Sequence, residues 1–497
     1  MAVIGVIGTG VMGRGIVQLF AQAGHELRLY DTSPEAVAEA ARFVAGMIDR
    51  QVAKGTIDAM AGESVKGRII PCTALADLAG CEVVIEAIVE RLDVKQQVFG
   101  ELEALVGAEC ILASNTSSLL ISAIASKCAH PERVAGLHFF NPVPLMKLAE
   151  IIPGVMTAPI VTDRLKALVE GAGHRAVTAA DQPGFLVNHA GRALYTEGLR
   201  VVEEGVTDHV GVDRIVREGL GFRMGPFELL DLTGLDVSGH VMQSIYDQFL
   251  QDPRYRPSAL IPPRIAAGLY GRKTGRGFYA YPDGQKQEPA EAGVPAAKHP
   301  IWLGEGVDIE AVTALVTNAG FTLVERPDDP TDPALLLALW GEDLTSAAVR
   351  LGLDPTRCVA IDPITDFERR RTLMTSPVTR HAIVDAAHAL LASDGTKVSV
   401  ISDSPGFVAQ RVLAMIVNTG CEIAQRGIAS PDDIDAAVRI GLGYPMGPLA
   451  LGDRIGAARV LAILESLQRV TGDPRYRPSL WLRRRALLGL WLGQQAV

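Results

Sequence analysis

Residues 2–7, Ala-Val-Ile-Gly-Val-Ile, are a short and almost unbroken apolar run. That pattern predicts a central parallel strand buried on both faces. The turn Gly8-Thr9-Gly10-Val11-Met12-Gly13 follows at once, and then a helical stretch through Ile16 to Ala21, closed by Gly24. His25 to Tyr30 reads as a second strand, with Asp31 at its end. Strand, glycine turn, helix, strand and acid together make the opening βαβ unit of a dinucleotide-binding fold. Residues 34–66 predict one long alanine-rich helix with its charges on one face. Further strands are expected at 81–87, 111–114, 134–138 and 146–152, with a helix at 91–106. This alternation predicts a doubly wound α/β domain of the Rossmann type over residues 1–180.

The texture changes at Pro183. Strand runs disappear, and an all-α domain is expected over residues 181–283. Residues 284–300 are polar and rich in proline and glycine, and read as a linker. An internal repeat organises the rest. Asp252-Pro-Arg-Tyr-Arg-Pro-Ser258 returns letter for letter as Asp473-Pro-Arg-Tyr-Arg-Pro-Ser479. Gly219-Leu-Gly-Phe-Arg-Met-Gly-Pro226 returns as Gly441-Leu-Gly-Tyr-Pro-Met-Gly-Pro448, and Asp181-Gln-Pro-Gly-Phe185 as Asp403-Ser-Pro-Gly-Phe407. Three motifs kept in register over such a span indicate a duplicated helical domain, with the second copy at 401–497. Between them, residues 301–400 read as a degenerate Rossmann-like segment. It has no GxGxxG, and a loose alignment puts Asp362 where His138 stands.

The formal net charge of −10 argues against a general nucleic-acid binder, which needs a basic face. The six cysteines form no CxxC pair and no metal-ligand spacing. They predict reduced, mostly buried thiols in a cytoplasmic protein, and no metal site. No apolar run approaches the length of a membrane helix, and no signal peptide is expected.

The chemistry concentrates in the first domain. Gly8 suits the tight turn, Gly10 the close approach of a pyrophosphate, and Gly13 the packing of helix on strand. Asp31 can accept from both ribose hydroxyls, which favours NAD over NADP. Hydride transfer to NAD needs a base for the alcohol proton, and histidine suits that role near neutral pH. His138 ends a strand on the ligand-binding edge of such a sheet. Glu150 lies in the next extended segment, within reach of the imidazole. Ser114-Asn-Thr-Ser-Ser118 offers hydroxyls beside such a site, although it also reads as a plain turn capping a helix.

The chain resembles the 3-hydroxyacyl-CoA dehydrogenase family, in its 3-hydroxybutyryl-CoA type with a duplicated C-terminal domain. The matching words are Gly8-Thr-Gly-Val-Met-Gly13, Glu86-Ala-Ile-Val-Glu90, Ser114-Asn-Thr-Ser-Ser118, His138-Phe-Phe-Asn-Pro-Val-Pro144 with Lys147 and Glu150, and Asp181-Gln-Pro-Gly-Phe-Leu-Val-Asn188. The resemblance implies oxidation of an (S)-3-hydroxyacyl-CoA by NAD. The acyl group would be short or a dicarboxylyl chain such as 3-hydroxyadipyl, met in fatty-acid or aromatic degradation. It implies His138 as the base, Glu150 as its partner, and Ser117 and Asn188 on the substrate oxygen. It also implies cofactor contacts from Gly8, Gly10, Val11, Met12, Gly13, Asp31, Glu90, Lys95, Ser117 and Asn141. Coenzyme A would lie along a helical arm at residues 36–66, which offers Arg42, Arg50, Lys54 and Lys66. The assembly implied is a monomer of paired halves or a homodimer. Two alternatives stay open: a β-hydroxyacid or 6-phosphogluconate type of dehydrogenase, which relies on a lysine base, and a non-catalytic NAD-binding protein.

Overall fold

The N-terminal apolar run is strand β1 (Val3–Ile7), with four of its five residues fully covered. In this computed structural model, which describes residues 1–494, it is the centre of an eight-stranded sheet. The other strands are β2 (Glu26–Tyr30), β3 (Ile69–Pro71), β4 (Val83–Glu86), β5 (Ile111–Ser114), β6 (Val134–Phe139), β7 (Leu148–Pro153) and β8 (Arg175–Thr178). The order is β3-β2-β1-β4-β5-β6-β7-β8, parallel throughout except where β6 meets β7. Strand order reverses between β1 and β4, the point at which such sheets bind ligands. Helices α1 (Val11–Gln22), α2 (Pro34–Ala53), α3 (Ala59–Lys66), α4 (Leu92–Leu105), α5 (Ile121–Ala125) and α6 (Pro159–Gly171) cover its faces. The core is aliphatic, with Phe20, Phe99 and Phe139 as its largest rings.

Two expectations change here. The single helix expected over 34–66 is two helices, because Gly55 turns left-handed at φ +68° and Asp58 starts the next helix by capping Ala61 N–H. Strands β3 and β8 had no signal in the pattern. Each is short, and β3 is largely exposed, so neither carries an apolar alternation.

The chain divides into two compact units. The first is Met1–His189 together with Arg426–Leu442, and the second is Ala190–Gln425 with the chain from Gly443 onward. The second unit holds a six-stranded sheet: β9 (Ile301–Leu303), β10 (Leu323–Val324), β11 (Ala334–Ala338), β12 (Cys358–Ile361), β13 (Arg370–Thr375) and β14 (Lys397–Ile401). Its order, β10-β9-β11-β12-β13-β14, has two strands fewer than the first sheet and keeps its antiparallel step, here at β12–β13, with one parallel strand beyond it. Residues 288–291 lie between the copies in sequence and are pinned by Arg214 on Glu288 and Arg370 on Glu291.

The helical repeats meet inside this second unit. Helix Ala409–Gln425 of the later repeat packs along helix Arg192–Glu203 of the earlier one. Arg411 is completely buried between them. It donates to Glu197 at 2.8 Å, to Glu204 at 2.7 Å and to the Tyr476 hydroxyl at 2.8 Å. The two Asp-Pro-Arg-Tyr-Arg-Pro-Ser words face each other across this seam. Arg254 of one donates to the Arg477 carbonyl of the other at 3.0 Å. The loudest repeat in the sequence is therefore the contact between the repeats.

Candidate active site

The glycine turn divides its labour as its residues predict. Gly8 sits at φ +88°, and a Cβ there would meet the Ala87 carbonyl oxygen at 2.5 Å. A Cβ on Gly13 would fall 1.8 Å from the Gly8 oxygen. A Cβ on Gly10 would meet nothing within 4 Å. Gly10 is also the N-cap of α1 and supplies no side-chain cap, so the first amides of that helix face open space. That is the cradle a pyrophosphate needs. Asp31 closes the turn by accepting from Thr9 N–H at 2.8 Å and Thr9 Oγ1 at 3.1 Å, with Ser33 N–H on its other oxygen. Partial burial pushes this carboxyl up, but those hydrogen bonds outweigh it and hold it below its ordinary value. A cavity of about 550 Å³ opens from Gly8, Gly10 and Asp31 to Gln97 and Glu101. Val11 is exposed and Met12 half-buried at the start of α1.

β6 and β7 pair so that His138 stands directly opposite Glu150. His138 Nδ1 and Glu150 Oε2 are 2.6 Å apart, with the carboxylate fully buried. Glu150 Oε1 accepts from Leu186 N–H at 3.0 Å and Val187 N–H at 2.7 Å. One carboxylate thus fixes the imidazole tautomer, leaves Nε2 outside the pair, and anchors the backbone that leads into Asn188. Phe140 and Phe185 flank the imidazole, their ring centroids 4.5 and 5.9 Å from it.

The serine turn is held from both sides. Asn115 Oδ1 accepts from Phe139 N–H at 2.8 Å, which ties the turn to the residue beside His138. Glu90 accepts from Thr116 Oγ1, Ser117 N–H, Ser118 N–H and Ser118 Oγ. Burial raises the Glu90 carboxyl, but these donors and Lys95 bring it below the ordinary range. Lys95 is sealed at 1% exposure, with its ammonium 2.6 Å from Glu86 and 3.3 Å from Glu90. Ser117 itself is exposed, as is Asn141.

Glu86, Ser114 and Asn115, which the sequence reading placed only within longer words, each have a part of their own in this scaffold. Glu86 takes Lys95, Ser114 Oγ and Ile88 N–H. The signal was present: an acid at the end of an otherwise apolar strand word, Val83-Val84-Ile85-Glu86.

A second cavity, about 410 Å³, lies between α1, α2 and the loop after β6. Arg14, Gln18, Phe43, Met47, Asn141 and Lys147 line it. The Arg14 guanidinium lies over the Phe43 ring at 3.9 Å, and its buried Nε has no partner. On the 36–66 arm, Arg42, Arg50 and Lys54 are exposed, whereas Lys66 is committed to Asp49 and Glu63.

The degenerate copy shows what the site needs. β12 and β13 pair so that the Asp362 amide donates to Thr372, which places Asp362 and Thr372 where His138 and Glu150 stand. Gln410 stands at the repeat position of Asn188 and donates to Asp362 at 2.9 Å. Gly304 and Gly306 follow β9, a turn the GxGxxG pattern does not capture. The next helix, Ile309–Asn318, is capped by the Asp308 side chain on Ala311 N–H. A carboxylate therefore occupies the helix end that Gly10 leaves open in the first copy. Among the described residues no cluster of metal-ligating side chains forms, and no helix is long and apolar enough to cross a membrane.

Comparison with known proteins agrees with this geometry. The family model for the 3-hydroxyacyl-CoA dehydrogenase NAD-binding domain matches residues 3–182. The model for the C-terminal domain of the same enzymes matches twice, at 184–281 and 406–495. The chain belongs to the 3-hydroxyacyl-CoA dehydrogenase family. It is an NAD-dependent oxidoreductase acting on the hydroxyl of an acyl-CoA. A 3-hydroxyadipyl-CoA dehydrogenase of Escherichia coli K12 is 37% identical over 98% of this chain and 97% of its own length. A 3-hydroxybutyryl-CoA dehydrogenase of Bradyrhizobium diazoefficiens is 38% identical, covering 56% of this chain and 94% of its own. Among solved structures, a 3-hydroxybutyryl-CoA dehydrogenase of E. coli K12 superposes with a TM-score of 0.86 at 36% identity, covering 98% of both chains.

Proposed function

We propose that this 3-hydroxyacyl-CoA dehydrogenase works through His138 as base, Glu150 as its buried partner, and Ser117 and Asn188 as donors to the substrate oxygen. The observation that carries the reading is the 2.6 Å His138–Glu150 pair, with Glu150 also holding the backbone before Asn188. When bound, NAD supplies the hydride acceptor. Gly8, Gly10, Val11, Met12 and Gly13 would form its phosphate turn and Asp31 would hold its ribose, while Asn141 would line its approach. Glu90 and Lys95 would shape the turn that carries Ser117. The alcohol proton passes to His138 Nε2 as the carbon–hydrogen bond breaks, and the carboxylate of Glu150 stabilises the imidazolium. The new carbonyl oxygen keeps its hydrogen bonds to Ser117 and Asn188. The lysine-base alternative loses support, since Lys95 is buried in an ion pair and His138 has the carboxylate a base requires.

The cavity between α1 and α2 would take the coenzyme A arm, with Arg14 and Lys147 as its cations. The acyl group would be short or a dicarboxylyl chain. Two matches that span the chain are named for 3-hydroxyadipyl-CoA and 3-hydroxybutyryl-CoA, so both belong in the substrate panel. Five of the six cysteines are buried, as the thiols of a cytoplasmic protein would be, which supports a cytoplasmic setting. The seam between the helical repeats supports a chain that supplies its own dimer-like partner. The decisive test is His138→Gln, read at the NADH absorbance band. Turnover should fall by at least about a hundredfold, the scale of a lost general base, with NAD affinity unchanged. Near-normal turnover in a folded variant would remove His138 from the mechanism.

A further inference from the structure

Residues 426–442 come from the second helical repeat, yet they belong to the first compact unit. Their helix, Pro431–Gly441, lies on β7 and β8, the strands that carry and flank Glu150. It makes three kinds of contact there. Asp433 accepts from Arg175 at 2.9 Å and from Thr178 N–H at 3.5 Å, both on β8. The Ile428 carbonyl, just before the helix, accepts from Ala180 N–H at 2.8 Å. Gly441 touches the sheet so closely that a Cβ would stand 2.9 Å from Leu148 Cδ2 and 3.1 Å from both Val187 methyls.

Leu148 and Val187 are not arbitrary neighbours. Leu148 lies two residues before Glu150 on the same strand. Val187 donates its N–H to Glu150 and immediately precedes Asn188. The helix thus presses on the two segments whose relative placement sets the His138–Glu150–Asn188 geometry.

The repeat supplies an internal control. The matching helix of the first repeat runs from His209 into Gly219 and packs on β13 of the degenerate copy. A Cβ on Gly219 would stand 3.2 Å from Thr365 Cγ2. The Ser402 amide donates to the Val206 carbonyl at 2.9 Å, as Ala180 does to Ile428. The same buttress therefore exists twice, but only one copy stands behind a histidine.

We propose that helix Pro431–Gly441 is a positioning element for catalysis, supplied by the C-terminal half to the N-terminal site. This rests on the roles assigned above to His138 and Asn188. The test compares Gly441→Ala with Gly219→Ala in the full chain. Both should fold, since each added methyl meets the ends of side chains. Gly441→Ala should lower kcat about tenfold, within the range expected when catalytic groups are displaced. It should also move the acid limb of the kcat/KM pH profile, while NAD binding stays as in the wild type. Gly219→Ala should leave kcat and the pH profile unchanged. Adding Val187→Ala to Gly441→Ala removes two of the three close methyls, leaving Leu148 Cδ2, and should restore part of kcat. Should Gly441→Ala prove insoluble, Asp433→Asn replaces it, with the same loss of kcat expected. Wild-type kcat and pH profile in the Gly441 or Asp433 variant, or an equal loss in Gly219→Ala, would overturn the proposal. Failure of the site assignment reads out separately, as normal turnover in His138→Gln.

Discussion

The three glycines of the nucleotide turn allow one residue type to be tested in two opposite ways. Alanine at Gly10 adds a methyl group to space in which no protein atom lies within 4 Å, on backbone at φ −65° and ψ −164° that alanine adopts freely. The unliganded protein should therefore lose only about 1 kcal/mol, the scale of a glycine-to-alanine change at an N-cap. Alanine at Gly13 places its methyl 1.8 Å from the Gly8 oxygen. That contact can be relieved only by moving α1 off β1, so about 3 kcal/mol or more of stability should go. Cofactor binding should rank the pair differently. The methyl at Gly10 fills the space above the uncapped amides of α1, and affinity for NAD should fall at least about tenfold, or ~1.4 kcal/mol. Titration calorimetry and thermal unfolding with and without NAD separate the two effects. Wild type should bind one NAD per chain, because Asp308 blocks the corresponding helix end in the second copy. It should also gain thermal stability on binding. Gly10→Ala should melt near the wild-type temperature and gain far less from NAD. Normal NAD affinity in Gly10→Ala would mean the pyrophosphate does not cross Gly10, and two NAD per chain would refute the reading of the second copy.

Two further outcomes concern stability. Arg411→Met takes one cation from the fully buried Glu197, leaving the Tyr476 hydroxyl at 3.0 Å and Arg475 at 3.4 Å, and should cost about 3 kcal/mol in chemical denaturation. Adding Glu197→Gln should return part of that loss, and additive losses would show that the pair is not coupled. Asp362 is buried with one oxygen unpartnered, and burial pushes its carboxyl up to about 7 from an ordinary value of 3.8. It is neutral in the fold and ionised in the unfolded chain, so stability is full at low pH and declines as pH rises from about 4 to about 7. At about 1.4 kcal/mol per pH unit, the decline is roughly 4 kcal/mol. Denaturation midpoints from pH 5 to 8 should fall less steeply in Asp362→Asn, and an unchanged slope would exclude this carboxyl.

Much of this molecule was legible in residues 1–188. The glycine turn, Asp31 and the His138–Glu150 pair follow local rules, because a strand pattern and a fixed spacing place them on one sheet edge. The repeat words exposed the duplication by register alone. What stayed hidden depended on contacts distant in sequence. The resemblance implies a cofactor contact for Lys95, and only the fold shows its ammonium closed over by Glu86 and Glu90. The break at Gly55 hid inside an alanine-rich run whose composition favours helix on both sides. The turn at Gly304 to Gly306 escaped because its third glycine is missing, although the strand and helix around it survive. No local pattern could have shown that Gly441 lies against Val187, since nothing in either neighbourhood records the other.

The discontinuity of the first unit bears on how the protein is made. A ribosome releases residues 1–189 early, and their sheet has its own apolar core to close around. Yet helix Pro431–Gly441 is among the last segments to emerge. Through most of synthesis, the outer faces of β7 and β8 must wait without their cover. A nascent chain halted between the two halves would carry every residue of the His138 site and still lack the helix behind it. Such a fragment would offer chaperones and proteases an uncovered sheet margin. Loss of helix Pro431–Gly441 would thus be felt at β7 and β8, far earlier in the sequence.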